Sequence, residues 1–224
     1  MLKVGVVLSG CGVMDGSEIH ESVLTLLALS KLGAEAVCLA PDVPQKEVVN
    51  HLTGTAVKET RNVLVESARI ARGKIKDIKT VHASDVDALI FPGGYGAAKN
   101  LCSFAADGAD CSVQPEVARL AREVHAAGKP IGAICIAPAL VAKIFEGVAV
   151  KLTIGHEKET AGQIQKLGHE HVDCGVLEIV TDSKQKIVST PAYMLAQNLS
   201  EAYAGIEKLV IEILTIAKQA GSNK

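Results

Sequence analysis

Cys135 lies in the run Lys129-Pro130-Ile131-Gly132-Ala133-Ile134-Cys135-Ile136-Ala137-Pro138-Ala139-Leu140, where a short apolar strand meets a helical pattern with no loop between them. So abrupt a strand-to-helix turn pushes its side chain out at the carboxyl edge of a sheet, as in the nucleophile elbow of hydrolases. The unpaired N–H groups and dipole of a helix start favour the thiolate there. A buried structural cysteine is the alternative, since free Cys behaves as a small hydrophobe. The elbow context decides for a nucleophile, largely ionised near neutral pH and below the ordinary thiol value of ~8.5.

Other residues could serve that thiol. Glu18 stands at the start of a helix, where a carboxyl could share the thiol's proton or move protons on a substrate. Its other reading is an ordinary acid at the positive end of a helix dipole, and Glu21, one turn later, has the same two readings and the weaker claim. Gly93 and Gly94, in Phe91-Pro92-Gly93-Gly94-Tyr95-Gly96, offer backbone N–H groups with no side chain in the way. With the amide of Ile136 they could form an oxyanion hole, or simply a strand-to-helix turn. His156, in Thr153-Ile154-Gly155-His156-Glu157, follows another strand and is either a base for the thiol or an exposed loop residue.

Several patterns carry less. His169-Glu170-His171 alternates like the entry to a short strand, and no third ligand has matching spacing, so no metal is expected. Gly10-Cys11-Gly12-Val13-Met14-Asp15 imitates a dinucleotide fingerprint but places Asp15 at the third glycine, so no NAD or FAD is expected. The net charge of −2 and 3% aromatic content argue against nucleic-acid binding. No apolar run approaches the ~20 residues of a membrane span, and Met1 to Leu8 reads as a first strand, too short for a signal peptide. The six cysteines contain no C-x-x-C pair and read as reduced thiols of a cytoplasmic protein; Cys102 and Cys111 flank a Gly/Asp loop and could meet.

Strands alternating with helices position these groups, which predicts an α/β fold with a mainly parallel sheet covered on both faces. Expected strands are Lys3 to Ser9, Glu35 to Ala40, Asp87 to Phe91, Pro130 to Ile134, Lys151 to Ile154, Glu178 to Thr181 and Lys186 to Ser189. Expected helices are Ser17 to Leu32, with Ser17 as N-cap, Asn62 to Arg72, Pro115 to Ala127, Ala137 to Ile144 and Asn198 to Lys218. The stretch from Asp42 to about Val81 reads as an excursion from the sheet. In such sheets ligands bind outside the carboxyl ends of the strands, where the loop after strand one, the glycine loop and the elbow would meet.

Long segments carry a resemblance. The elbow Ala133 to Pro138, Phe91 to Leu101, Thr60 to Arg72, Gly12 to Glu21 and Ser189 to Ala196 together resemble the ElbB family, bacterial proteins named for enhanced lycopene biosynthesis. That family belongs to the PfpI/ThiJ branch of the class I glutamine amidotransferase-like superfamily, and the resemblance covers essentially the whole chain. It implies a flavodoxin-like three-layer sandwich, one domain over residues 1–224, a homodimer, and a reactive Cys135 paired with Glu18. The implied activity is a cofactor-independent glyoxalase that converts glyoxal, a small dicarbonyl, to glycolate through a cysteine hemithioacetal. True glutamine amidotransferases carry a His-x-Glu pair well after the nucleophile; this chain reads Ser189-Thr190-Pro191-Ala192-Tyr193 there, so glutamine hydrolysis is not expected. Two other classes stay open: a redox or carbonyl-stress sensor, deglycase-like, whose Cys135 oxidises, and an amidase or peptidase with His156 as base.

Overall fold

A computed structural model describes residues 1–222. The strands are β1 (Lys3–Val7), β2 (Glu35–Ala40), β3 (Val48–Asn50), β4 (Thr55–Val57), β5 (Ile75–Asp77), β6 (Ala88–Phe91), β7 (Ile131–Ile134), β8 (Lys151–Leu152), β9 (Glu170–His171), β10 (Val180–Asp182) and β11 (Ile187–Thr190). The α-helices are α1 (Ile19–Lys31), α2 (Val63–Ile70), α3 (Tyr95–Lys99), α4 (Phe104–Asp107), α5 (Pro115–Ala126), α6 (Ala137–Ile144), α7 (Lys158–Lys166) and α8 (Leu199–Ser222).

Seven strands form the main sheet in the order β10-β11-β7-β6-β1-β2-β5. Every pair is parallel except β10 with β11. The central strands β6 and β7 are buried at every residue, as strands covered on both faces must be. Successive side chains still go to opposite faces. Leu89 and Ile131 join Leu120 and Val124 of α5 in one core, while Ile90 and Ile134 join Leu29 of α1 and Leu209 and Ile213 of α8 in the other. The result is the expected flavodoxin-like α/β sandwich.

Strand order reverses beside β1, since β2 lies on one side of it and β6 on the other. Loops leaving β1 and β6 therefore part at their carboxyl ends and open a crevice. Asn100 fixes that crevice: its Nδ2 donates to the carbonyls of Ser9 and Asp15, both at 2.8 Å.

The excursion from Asp42 is more ordered than its sequence suggests. β3 and β4 form an antiparallel hairpin, with His51 to Gly54 in its turn. Asn62 caps α2, accepting from the Val65 amide at 3.1 Å, a contact that typically stabilises a helix by ~1 kcal/mol. β5 then returns as the edge strand of the main sheet, beside β2. A second difference concerns Lys151 to Ile154: only β8 forms there, and it pairs with β9 in a small separate sheet.

Candidate active site

At the end of β7 the backbone turns through Cys135 with φ of 61°, one of four non-glycine residues with positive φ among the described residues. An L-residue held there costs roughly 1–2 kcal/mol, and such strain persists only where the surroundings over-determine it. The Cys135 amide still donates to the Thr190 carbonyl at 3.0 Å, continuing the β7–β11 ladder. Ile136 is the N-cap of α6, with Pro138 in its first turn, a residue that fits there because it lacks the N–H a helix start leaves unpaired. Strand pairing on one side and a rigid helix start on the other leave the thiol one direction, toward the crevice.

The loop after β6 closes on it. Gly94, with φ of 92°, and Ile136 both turn their backbone N–H groups to the sulfur. A side-chain carbon on Gly93 would lie 2.4 Å from the Cys135 Cβ and 2.6 Å from the Glu21 Oε2. Only glycine admits the thiol and that carboxyl together.

The carboxyl in hydrogen-bonding reach of the thiol is therefore that of Glu21. Glu21 is fully buried. Its Oε2 accepts from the Gly93 amide at 3.0 Å and its Oε1 from the Tyr193 amide at 3.2 Å. Burial, followed by the charge of Glu18, pushes its carboxyl up to about 8, against the bonds from Tyr193, Cys135 and Gly93. Burial and the Glu21 charge push the Cys135 thiol well above the ordinary thiol range, and the Gly94 and Ile136 amides pull it down by less. The thiol is held neutral at rest, contrary to the expected thiolate: a sealed site costs the anion more than a helix start returns.

Glu18 has a different place. It is the N-cap of α1, its Oε2 accepting from the Glu21 amide at 2.6 Å, and it lines the cavity over the thiol. Ser17, the expected cap, is buried instead, its Oγ accepting from the Ser9 amide at 2.8 Å. The helix thus starts later than Ser17 suggests, which turns Glu18 back on its own helix end and Glu21 inward. His156 is exposed in the turn before α7 and is not among the residues lining the cavity. The other histidines noted in the sequence are structural: His169 Nε2 lies 2.8 Å from the Ala142 carbonyl, and His171 Nε2 accepts from the Ile154 amide at 3.3 Å.

A cavity of about 830 Å³ opens over Cys135. Glu18, Gly94, Ile136, Tyr193 and Met194 line it beside the thiol, and α4 and α7 contribute its outer wall. That lining includes the carboxylates Glu18, Asp107, Asp110, Glu157 and Glu159 against the single lysine Lys166. Such a field disfavours anionic ligands. Tyr193 was not singled out by the sequence, although the signal was present: it occupies the Ser189 to Tyr193 stretch where the amidotransferase pair is missing.

No protein-family model matches the chain. Over 224 aligned residues it is 50% identical to the rat mitochondrial ES1 protein homolog, covering 96% of this chain and 84% of that one. It is also 50% identical to the human mitochondrial glutamine amidotransferase-like class 1 domain-containing protein 3, covering 96% and 83%. A crystal structure from Ehrlichia chaffeensis, an isoprenoid biosynthesis protein with an amidotransferase-like domain, superposes with a TM-score of 0.91 at 42% identity, covering 96% of this chain and 99% of that one. The rat and human relatives are mitochondrial proteins, which overturns the cytoplasmic assignment drawn from cysteine usage. Reduced thiols do not single out the cytosol.

Proposed function

Because the chain belongs to the ElbB-like, amidotransferase-like family of the PfpI/ThiJ superfamily, to which the ES1 proteins also belong, we propose that it is a cofactor-independent glyoxalase acting on small 1,2-dicarbonyls. One observation carries this reading: a sealed carboxyl, Glu21, within hydrogen-bonding reach of the elbow thiol. A carboxyl beside a nucleophile can take its proton and then move a proton between adjacent carbons.

The steps balance with water as the one co-reactant and need no cofactor. Glu21, as carboxylate, takes the thiol proton while the sulfur bonds one aldehyde carbon of glyoxal, then passes that proton to the new oxyanion. The Gly94 and Ile136 amides stabilise this oxyanion. The hemithioacetal formed has a hydrogen on its carbon, which Glu21 removes, giving an enediol, and delivers to the neighbouring carbon. A glycolyl thioester results. Water cleaves its carbon–sulfur bond, and the products are glycolate and the free thiol.

The competing readings are weaker on specific grounds. A thiol held neutral by burial reacts slowly with peroxide, which counts against a sensor. An exposed His156 outside the cavity leaves an amidase without a base for the thiol. We also take the protein as a homodimer: Ile19, Val23 and Leu27 leave an exposed apolar stripe along α1, and a monomer mass by light scattering would remove this part of the proposal. The central test is proton NMR of glyoxal incubated with the purified protein. Glycolate should appear. Consumption no faster than with free cysteine would overturn the assignment.

A further inference from the structure

Enolisation of a hemithioacetal moves protons on oxygen as well as on carbon. As the hydrogen leaves the first carbon, the oxygen on the second must gain a proton. As the thioester forms, the oxygen on the first must lose one. Glu21 is fully occupied with the carbon-bound proton, so these oxygen protons need a second group.

The cavity offers one at Tyr193. Tyr193 lines the cavity, and its backbone N–H donates to the Glu21 Oε1 at 3.2 Å, which ties the segment that carries the phenol to the carboxyl. That segment is strained. Ala192 has a φ of 41°, and Thr190, two residues earlier, accepts the Cys135 amide. The phenol oxygen lies 2.9 Å from His20 Nδ1, and His20 is exposed in the first turn of α1. Burial and then the charges of Glu18 and Glu21 push the phenol above its ordinary value, so it keeps its proton and can donate it.

We propose that Tyr193 and His20 form a proton relay that serves the substrate oxygens during enolisation, while Glu21 serves the carbons. This rests on the glyoxalase reading. When Glu21 removes the carbon-bound hydrogen, the electron pair moves to the oxygen of the second carbon, and the Tyr193 hydroxyl protonates it. His20 passes its Nδ1 proton to the phenol oxygen and takes one from solvent at Nε2. In the next half-step the first oxygen returns its proton to Tyr193 as the thioester carbonyl forms, and the relay resets through His20. No net proton is consumed.

The division of labour separates this relay from a structural role for Tyr193. In Tyr193→Phe the backbone amide on Glu21 remains, so hemithioacetal formation, read as loss of free Cys135 thiol on mixing with glyoxal, should keep its wild-type rate. Glycolate formation should fall about 10²-fold, the range of a general acid–base group. His20→Ala should lower kcat roughly tenfold with KM unchanged, and added imidazole should restore it, since the His20 site is open to solvent. A slower thiol reaction in Tyr193→Phe would mean that the ring only packs the site, and would overturn the relay. So would wild-type glycolate formation in both variants, with the glyoxalase reading intact. Absence of glycolate from the wild-type protein would overturn both.

Discussion

Two kinds of buried cysteine occur in this molecule, and the contrast isolates the surroundings that would equip one of them for chemistry. Cys38 sits in β2, where burial alone pushes its thiol up to about 11. Cys102 and Cys111 are both buried near α4 within reach of one another, which raises Cys102 and lowers Cys111, and Cys102 donates to the Ala97 carbonyl at 3.3 Å. Cys135 is buried too and its thiol is also raised. Burial therefore distinguishes nothing. What sets Cys135 apart is a carboxyl able to receive its proton, two amides turned to its sulfur, and a cavity above it. A raised thiol pKa lowers the resting thiolate fraction, but it also makes the anion a stronger nucleophile once formed.

The largest test of the contrast exchanges the cysteines. Cys135→Ala should abolish glycolate formation, while Cys38→Ala, and the double change of Cys102 and Cys111 to Ala, should leave kcat unchanged. Turnover retained in Cys135→Ala would place the chemistry elsewhere.

Next comes the proton acceptor. Glu21→Gln should lower kcat by about 10²-fold or more. Because Glu21 must be ionised to accept the thiol proton, wild-type activity should climb as pH rises through about 8, and this limb should vanish in Glu21→Gln. Glu18→Gln should keep most activity and shift the limb to lower pH, since the Glu18 charge helps to hold Glu21 up. A Glu18 variant as inactive as the Glu21 variant would reverse the assignment of the two carboxyls.

Smaller effects should appear in stability. The Glu21 carboxyl lies above its ordinary 4.5 in the folded state, so the native protein binds more protons than the unfolded chain between about 4.5 and about 8. Folding free energy from this group is then lost as pH rises across that window, by up to ~1.4 kcal/mol per pH unit. Denaturant midpoints of the wild type should fall over it, and those of Glu21→Gln should fall less. Parallel curves would deny the burial penalty. Smallest of all, His156→Ala should leave both turnover and stability close to wild type.

Which parts of this site the sequence disclosed follows from how local their causes are. The elbow was legible because an apolar strand and a helix start collide within a few residues, and the glycine loop because Gly93 and Gly94 permit an approach no other residue does. Choosing between Glu18 and Glu21 required the helix start to within one residue, and a buried Ser17, bonded to the Ser9 amide, moves that start. Only the carboxyl three positions after the cap reaches the thiol. A place for His156 at the sheet's carboxyl edge requires Lys151 to Ile154 to join the main sheet. β8 pairs with β9 instead, and His156 ends exposed in the bend before α7, although its neighbour Glu157 lines the cavity. β5 leaves no trace in the sequence because Ile75-Lys76-Asp77 is three residues long and pairs on one side only, too short to show a pattern. Tyr193 depends on contacts with residues about 170 positions away in the chain, which no local pattern encodes.

The burial of Glu21 has a consequence that can be followed in isotopes. A hydrogen lifted from one carbon onto a carboxyl sealed from water has nowhere to go except the neighbouring carbon. Glyoxal converted in heavy water should then give glycolate whose methylene carries both original hydrogens, visible as an undeuterated CH₂ signal by NMR. The hydroxyl hydrogens, handled beside an exposed imidazole, should be exchanged throughout. Appreciable CHD in the product would mean that water reaches the carboxyl during turnover. The extent of hydrogen retention thus measures how completely the site closes while it works.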